Sequence, residues 1–500
     1  MLPVKLSTSI PQHAYDAEMV KSNEGIIAKQ KGLSLYQLME LAGKSAFDLF
    51  VQQWPSSKTI LIVCGSGNNA GDGFVFARLA RQSGFHIYVH TLASKDEYRG
   101  DAAIACEHFI DSGGSFHKIN EIDFKRVDVI VDAILGTGVV GDVRENYAYM
   151  INFINKLPQP ILSLDLPSGL HADTGQIQGA CIVATISVTF IAIKKGMLTG
   201  QAKAYCGDIY LAGLGIDKQF SDQITSSIYL NNEQYLTPLA KRSAVSHKGH
   251  SGRVLVVAGN KGMPGAARLS SEAALRCGAG LVSLVCHQDN QIIVASTRPE
   301  LLLLDAKKLT AENDSNIVNV DIILIGPGLG TDEWAKQCYA AIIAADTPLV
   351  VDADALNLLA KKPSYRDNWV LTPHPGEAAR LLGCSIKQIE LDRFAAVRAI
   401  ALKYGGVCVL KGAGTLISNG EDVVINLTGN AGMASGGMGD VLAGIIATLS
   451  LQSNNMFAAS CYGVYLHGKA GDIAAKDGEK GLLASDLLPI IRQLVNQSIE

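Results

Sequence analysis

The sequence predicts an α/β protein of two domains, each a mainly parallel sheet sandwiched by helices. Three observations carry this. The chain has 500 residues, and single hydrophobic cores stop growing at about 250–300. Glycine reaches 50 residues while aromatics make up 6%, a balance that suits many tight strand-to-helix turns. Short β-branched runs, each followed by a glycine-containing turn and a helical pattern, recur through both halves, the mark of parallel sheets covered on both faces.

The opening segment, to about Gly43, has helical periodicity in LSLYQLMELAG and is expected to cap the first sheet. Strands follow at TILIVCG, FHIYVHTL, VDVIVDAI and PILSLDLP, then at the apolar run CIVATISVTFIAI, and the half closes with CGDIYLAGLGID. A polar stretch containing KQFSDQ and LNNEQ places the boundary near residues 218–230, with one domain over 1–220 and the other over 228–500. The second half has strands at RVLVVAG, LVSLVC, VDIILIG, TPLVVDA, NWVLTPH and GVCVLKG. LISNGEDVVIN then reads as a hairpin turning at SNGED, and VLAGIIATLSL as a helix. No internal repeat is found, because the Asn/Gly/Asp loops of the halves differ in order and spacing.

A net charge of −4 provides no footprint for nucleic acid or an anionic membrane. The ten cysteines form no C-x-x-C pair and sit mostly in apolar runs, as buried thiols of a reducing compartment do. MLPVKLSTSIPQHAYDAEM lacks the apolar core of a signal peptide, and CIVATISVTFIAI is too short to span a bilayer, so a cytoplasmic protein is expected.

In the first half, strand, glycine loop and helix succeed one another through GSGNNAGDGFVFARLARQSG, an order that suits an anion. As a dinucleotide fingerprint it is weak, because HIYVHTLAS lacks the acidic residue that would hold a ribose. Asn68, Asn69 and Asp72 add fixed amide and carboxylate groups to that loop. Asp132 and Asp165 end two further strands, where ligands of open α/β sheets bind; alternatively, each aspartate caps the turn or helix that follows.

The second half offers GNKGMPGAA, GPGLG, DADALN, TPHPGE and KGAGT at strand ends, and then GNAGMASGGMGD. Five glycines in twelve positions cost chain entropy, so bare backbone must be needed there. GGMGD meets the apolar helix, whose N-terminus makes an anion hole, and Asp440 within it is expected to be held ionised, as a general base must be. Lys411 to Thr415 end a strand where phosphates could rest. His374 contacts a substrate or simply satisfies a turn. His247 and His250 receive no role.

These residues resemble a known family over nearly the whole chain. The first half is similar to the Rossmann-like NAD(P)H-hydrate epimerase domain, through NNAGDG, Asp132 with GTGVVGD, and DLPSG. The second is similar to the ribokinase-like NAD(P)H-hydrate dehydratase domain, through GNKGMPGAA, GPGLG, TPHPGE, KGAGT and GGMGD. Together they resemble the bifunctional enzymes that repair hydrated nicotinamide dinucleotides.

The resemblance implies that hydrated NADH or NADPH binds Asn68, Asn69, Ala70, Gly71, Asp72, Gly136, Thr137, Gly138, Val139, Val140, Gly141, Asp142 and Asp165. It implies potassium on Asn69, Asp132 and Ser168, oxygen donors that suit a hard cation. In the second domain it implies the hydrate near Ala266, Gly328, His374 and Asp440. It sets ADP along Lys411, Gly412, Ala413, Gly414 and Thr415, with Gly439 beneath the phosphate and magnesium as companion. Asp165 is then the acid and base of epimerisation and Asp440 the base of dehydration. A homo-oligomer is expected. The alternatives are a ribokinase-like small-molecule kinase fused to a dinucleotide-binding domain, which would accumulate phosphorylated substrate, and a nucleotide-sensing scaffold, which would not need a base.

Overall fold

The computed structural model describes residues 2–7, 13–138, 141–231, 243–306, 309, 319–453 and 455–497. It divides into two compact units, residues 1–228 and 229–500.

In the first unit β1 (Val4–Lys5), β2 (Thr59–Cys64), β3 (His86–Thr91), β4 (Val129–Ala133), β5 (Ile161–Leu164), β6 (Ile186–Phe190) and β7 (Asp208–Ala212) form a sheet in the order β1-β7-β6-β5-β4-β2-β3. All pairs are parallel except β1 with β7. Every residue of β2, β4, β5 and β6 is buried. That is why these strands read as continuous apolar runs instead of alternating ones. Of CIVATISVTFIAI only Ile186–Phe190 is strand.

Helix Asn68–Gln82 covers the sheet, and its glycines explain how closely. A Cβ on Gly73 would meet Ala133 Cβ at 2.6 Å, and one on Gly71 would meet Met39 Sδ at 2.5 Å. Met39 belongs to helix Leu35–Gln53, which starts with a capping box between Ser34 and Gln37. NNAGDG is therefore the first turns of a helix, not a loop. Its two glycines serve packing against the sheet and the neighbouring helix.

The second unit has β8 (Ile228–Asn231), β9 (Arg253–Val257), β10 (Leu281–Val285), β11 (Leu302–Leu304), β12 (Ile322–Ile325), β13 (Leu349–Val351), β14 (Trp369–Leu371), β15 (Val407–Leu410), β16 (Leu416–Ser418) and β17 (Val423–Asn426). Their order is β11-β10-β9-β12-β13-β14-β15-β16-β17-β8. Pairing is parallel from β11 to β15, and β15, β16 and β17 are antiparallel, as the hairpin signal predicts.

Both sheets have a topological switch point. The chain leaves β2 toward β3 and returns on the other side as β4; likewise it leaves β9 toward β10 and returns as β12. Crevices beyond the strand ends at such points are where open α/β sheets bind ligands.

Candidate active sites

At the first switch point Gly65 N–H donates to Ala133 O at 3.0 Å. A Cβ on Gly65 would lie 1.9 Å from Ile134 O, so only glycine lets the two strand ends close. Beyond them opens a cavity of about 510 Å³. Asn68, Asn69, Asp72, Gly136, Thr137, Gly138, Gly141, Asp142 and Asp165 line it, so these sequence candidates are brought together. Ala70 is instead buried in the core and Gly71 packs on Met39. Val139 and Val140 lie outside the described residues.

Asp165 follows β5 with φ 66°, a left-handed backbone that aspartate tolerates better than most side chains. Its Oδ1 accepts hydrogen bonds from Lys194 Nζ at 2.6 Å and Thr189 Oγ1 at 3.3 Å. Lys194 Nζ also donates to Thr189 Oγ1 and Phe190 O, so its ammonium is fully engaged at 3% exposure. Two more groups enter the same cavity. Burial pushes the Asp72 carboxyl well above its usual range, and burial lifts Glu24 to about 7. Sequence reasoning passed over Lys194 and Glu24: a lysine after an apolar run reads as a strand flank, and a glutamate in a polar helix reads as solvated.

Asp132 lies fully buried behind this wall. Its Oδ2 accepts from Ser163 Oγ at 2.8 Å and Ser168 N–H at 2.9 Å, and its Oδ1 accepts from Ser168 Oγ. Burial raises its carboxyl despite those donors. Asn69 Nδ2 and Ser168 Oγ both reach Leu135 O, at 2.9 and 3.1 Å, while the buried Asn69 Oδ1 accepts no hydrogen bond among the described residues. An orphaned amide oxygen, linked through Leu135 O and Ser168 to a desolvated carboxyl, is the environment a cation would satisfy.

In the second unit Gly259 N–H donates to Pro327 O at 2.9 Å and Asn260 N–H to Gly328 O at 2.7 Å, closing GNKGMPGAA onto GPGLG. Gly328, at φ 54°, leaves 2.9 Å between a notional Cβ and Ala266 Cβ, so these two candidates are neighbours. Helix Pro264–Arg276 carries Ala266, and helix Met438–Gln452 carries Asp440. A Cβ on Gly437 would meet Leu269 at 2.5 Å and one on Gly444 Ser270 O at 2.2 Å, and Thr448 Oγ1 donates to Ala274 O at 3.2 Å. The helices thus run side by side in the same direction, with both N-termini at one end.

Asp352, buried at the end of β13, accepts from Lys411 Nζ at 2.6 Å and Thr372 Oγ1 at 2.7 Å on Oδ1. A Cβ on Gly439 would lie 3.3 Å from Lys411 Nζ, which joins KGAGT to GGMGD. Burial tends to lower Lys411, but the carboxylates of Asp352, Glu377 and Asp440 prevail and hold it above its usual value. Thr415 Oγ1 closes the KGAGT turn on Gly412 O at 2.9 Å. Gly412, at φ 139°, lets the Arg393 guanidinium pass beneath to donate to Leu410 O and Lys411 O. Ala413 is exposed on this turn and Gly414 is buried in it at φ 61°.

The expectation that Asp440 is held ionised is corrected here. Burial first, and then repulsion from Asp352, lift its carboxyl to about 7, although Lys411 pulls the other way. Both protonation states are accessible near neutrality. Asp352 itself was missed, although it ends a strand in TPLVVDA as Asp132 and Asp165 end theirs. His374 caps helix Pro375–Leu382: its Nδ1 accepts from Gly376 N–H at 2.9 Å, while its Nε2 lies 3.3 Å from Glu377 Oε1. Burial, with Lys411 and Arg380, lowers its pKa, so the ring is neutral at pH 7. The turn role is therefore present, and the side chain stays 51% exposed.

No helix among the described residues is long and apolar enough to cross a membrane. Residues 254–493 match the family described as NAD(P)H-hydrate dehydratase, and residues 35–196 match that described as YjeF-related protein N-terminus. The chain is 42% identical over 498 residues to the bifunctional NAD(P)H-hydrate repair enzyme Nnr of Escherichia coli (strain K12), spanning 99% of this chain and 96% of that protein. It is 42% identical over 475 residues to the enzyme of the same name from Coxiella burnetii, spanning 94% and 97%. Among solved structures, a ribokinase-like superfamily protein of Enterococcus faecalis aligns with TM-score 0.50 and 28% identity, over 54% of this chain and 96% of that one. Likeness running through both switch-point sites, and through almost the full length of both sequences, makes this chain a member of the family of bifunctional NAD(P)H-hydrate repair enzymes.

Proposed function

We propose that the amino-terminal unit interconverts the R and S forms of hydrated NADH and NADPH, and that the carboxyl-terminal unit dehydrates the S form with ADP, releasing AMP and phosphate. The observation that carries this is Asp440. It is a carboxyl poised near neutrality at a helix N-terminus, beside the Lys411–Asp352 pair.

In the second site Asp440 takes the proton of the C6 hydroxyl while that oxygen attacks the terminal phosphoryl of ADP, and the bond to AMP breaks. Lys411 and the N–H groups around Gly439 stabilise the transferring charge. The ring nitrogen then expels phosphate from C6, and loss of the C5 proton restores NAD(P)H. Magnesium would arrive on the nucleotide, since no group of three His, Cys, Asp or Glu side chains among the described residues could hold an ion alone. ADP, not ATP, is the co-substrate we propose.

In the first site the ring nitrogen expels the C6 hydroxyl to leave a planar iminium, which water attacks from the other face with Asp165 handling the proton. Potassium held by Asn69, Asp132 and Ser168 would supply fixed positive charge behind the cavity wall. Its test is thermal unfolding in potassium against choline chloride: the amino-terminal unit should gain stability in potassium, and Asn69→Ala should lose that gain. The free thiols support a cytoplasmic setting.

A mixture of both hydrate epimers incubated with ADP tests the whole reading. Complete recovery of reduced-dinucleotide absorbance requires both activities. Recovery that stops at the S fraction removes the epimerase, accumulation of a phosphorylated hydrate makes the second unit a kinase, and equal rates with ATP remove the preference for ADP.

A further inference from the structure

Helix Ala17–Gln30 turns one face to the amino-terminal cavity. Ala17, Val20, Lys21 and Glu24 line it, at the i, i+3, i+4 and i+7 spacing of a single helical stripe. The start of the helix is built onto the backbone that carries Lys194. Tyr15 N–H donates to Ile193 O at 2.9 Å and Lys195 N–H to Tyr15 O at 3.0 Å. Ala17 N–H donates to Asp173 Oδ1 at 2.7 Å, and Lys195 pairs with Asp16. One lysine of the Lys194–Lys195 doublet therefore grips Asp165 while the other anchors the helix bearing Glu24. That helix lies before residue 35, where the family match begins.

Epimerisation needs two proton transfers at different moments. The departing hydroxyl must gain a proton, and the water that re-adds must lose one. Asp165 is engaged as the anion of an ion pair, with Oδ1 already accepting from Lys194 and Thr189. When the hydroxyl leaves from the opposite face, Asp165 therefore takes the proton of the entering water and another group must supply the first proton, the two roles exchanging when the reaction runs backwards. We propose that Glu24 is a second catalytic residue of this site, giving its proton to the C6 hydroxyl as the C6–O bond breaks, while Asp165 takes the proton of the water that adds.

The steps balance. Glu24 becomes a carboxylate, water departs and the ring nitrogen shares its pair as an iminium; water then bonds to C6, its proton passes to Asp165, and exchange with solvent resets both. Glu24 faces Lys21 on its own helix, Asp72 from helix Asn68–Gln82, Asp165 beyond β5 and Lys194 beyond β6. Burial lifts it to about 7, in the range where a general acid cycles efficiently. Burial raises the Asp72 carboxyl of the same cavity as well.

The inference rests on the epimerase reading of this cavity, so Glu24→Gln and Asp165→Asn are compared in the full chain, with dehydration of the S epimer as the internal control of folding. Glu24→Gln should slow epimerisation by roughly 10²–10⁴-fold, leave dehydration unchanged, and erase the fall in rate as pH rises through about 7. Glu24→Asp keeps the carboxyl and should keep that falling limb, even if slower. Epimerisation within about threefold of wild type in Glu24→Gln, with the limb intact, overturns the role of Glu24 if Asp165→Asn is slow. If both variants epimerise normally, the reading of the cavity falls with it. A limb missing from Glu24→Asp also overturns the assignment.

Discussion

Lys194 Nζ donates a 2.6 Å hydrogen bond to Asp165 Oδ1, and it reaches a carboxylate whose backbone is held at φ 66°. The strain is not isolated. Ile191 and Leu214, at φ 69° and 53°, line the same cavity, and Ala353, at 48°, directly follows Asp352 in the other unit. Among the described residues, every non-glycine residue with positive φ thus borders one of the two sites. Such backbone costs on the order of 1–3 kcal/mol per residue and persists where the surrounding packing over-determines it.

Removing one partner of the Lys194–Asp165 pair strands a charge with the pair at 3% and 14% exposure. Lys194→Met should cost about 3–5 kcal/mol in denaturant unfolding of the amino-terminal unit. Adding Asp165→Asn should return a large part of that loss. A double variant no more stable than Lys194→Met would show that the lysine acts through packing alone.

Asp440 predicts opposite effects on activity and stability. Dehydration at subsaturating substrate should rise with pH through about 7, because the base must be deprotonated. The folded-state value lies above the ordinary 3.8, so the folded protein binds this proton more tightly than the unfolded chain. The stability it confers is complete at low pH and is lost as pH rises from that ordinary value to about 7. Asp440→Asn should therefore abolish dehydration, a fall of at least about 10²-fold, while raising the Tm of the second unit more at pH 8 than at pH 5. Equal Tm changes at both pH values would count against the burial of that charge.

Much of this was legible in the sequence, because strands buried on both faces read as unbroken β-branched runs. The short edge strands Val4–Lys5 and Leu302–Leu304 have no such signal, since two or three residues set no periodicity. NNAGDG shows why a motif can be located correctly and read wrongly. A glycine demanded by Met39 or Ala133 across a helix interface has the same letter as one demanded by a phosphate. Asp352 was within reach by the strand-end argument that found Asp132 and Asp165. Glu24 and Lys194 were not, because their meaning comes from a cavity that joins residues far apart in the chain.

The glycines of GGMGD divide by task. Gly437 has φ 89° and Leu269 Cδ1 lies 2.5 Å from a notional Cβ, so Gly437→Ala should destabilise the second unit by at least about 1–2 kcal/mol. Gly439 is helical, and its Cβ would approach Lys411 Nζ at 3.3 Å and Asp352 Oδ2 at 4.0 Å, with no backbone or core side chain in the way. Gly439→Ala should leave Tm nearly unchanged while weakening ADP binding by about tenfold, the effect of about 1.4 kcal/mol. Calorimetric titration and unfolding of the two variants separate these effects, and equal losses of affinity would refute the division.

His374 is the case where a structural and a functional role can be measured apart. Its Nδ1 caps the helix through Gly376 N–H, and asparagine can do the same, so His374→Asn should hold Tm whereas His374→Ala should lose about 1 kcal/mol. If Nε2 also orients the hydrate, both variants should raise KM together, whatever their stability. The ring is neutral because burial, Lys411 and Arg380 all press its pKa down. With that pKa lowered from its ordinary value, His374→Asn should keep the rise through about 7 that belongs to Asp440. A KM that follows Tm across the two variants would leave His374 as a cap alone, and a displaced pH limb would instead tie it to the proton that Asp440 accepts.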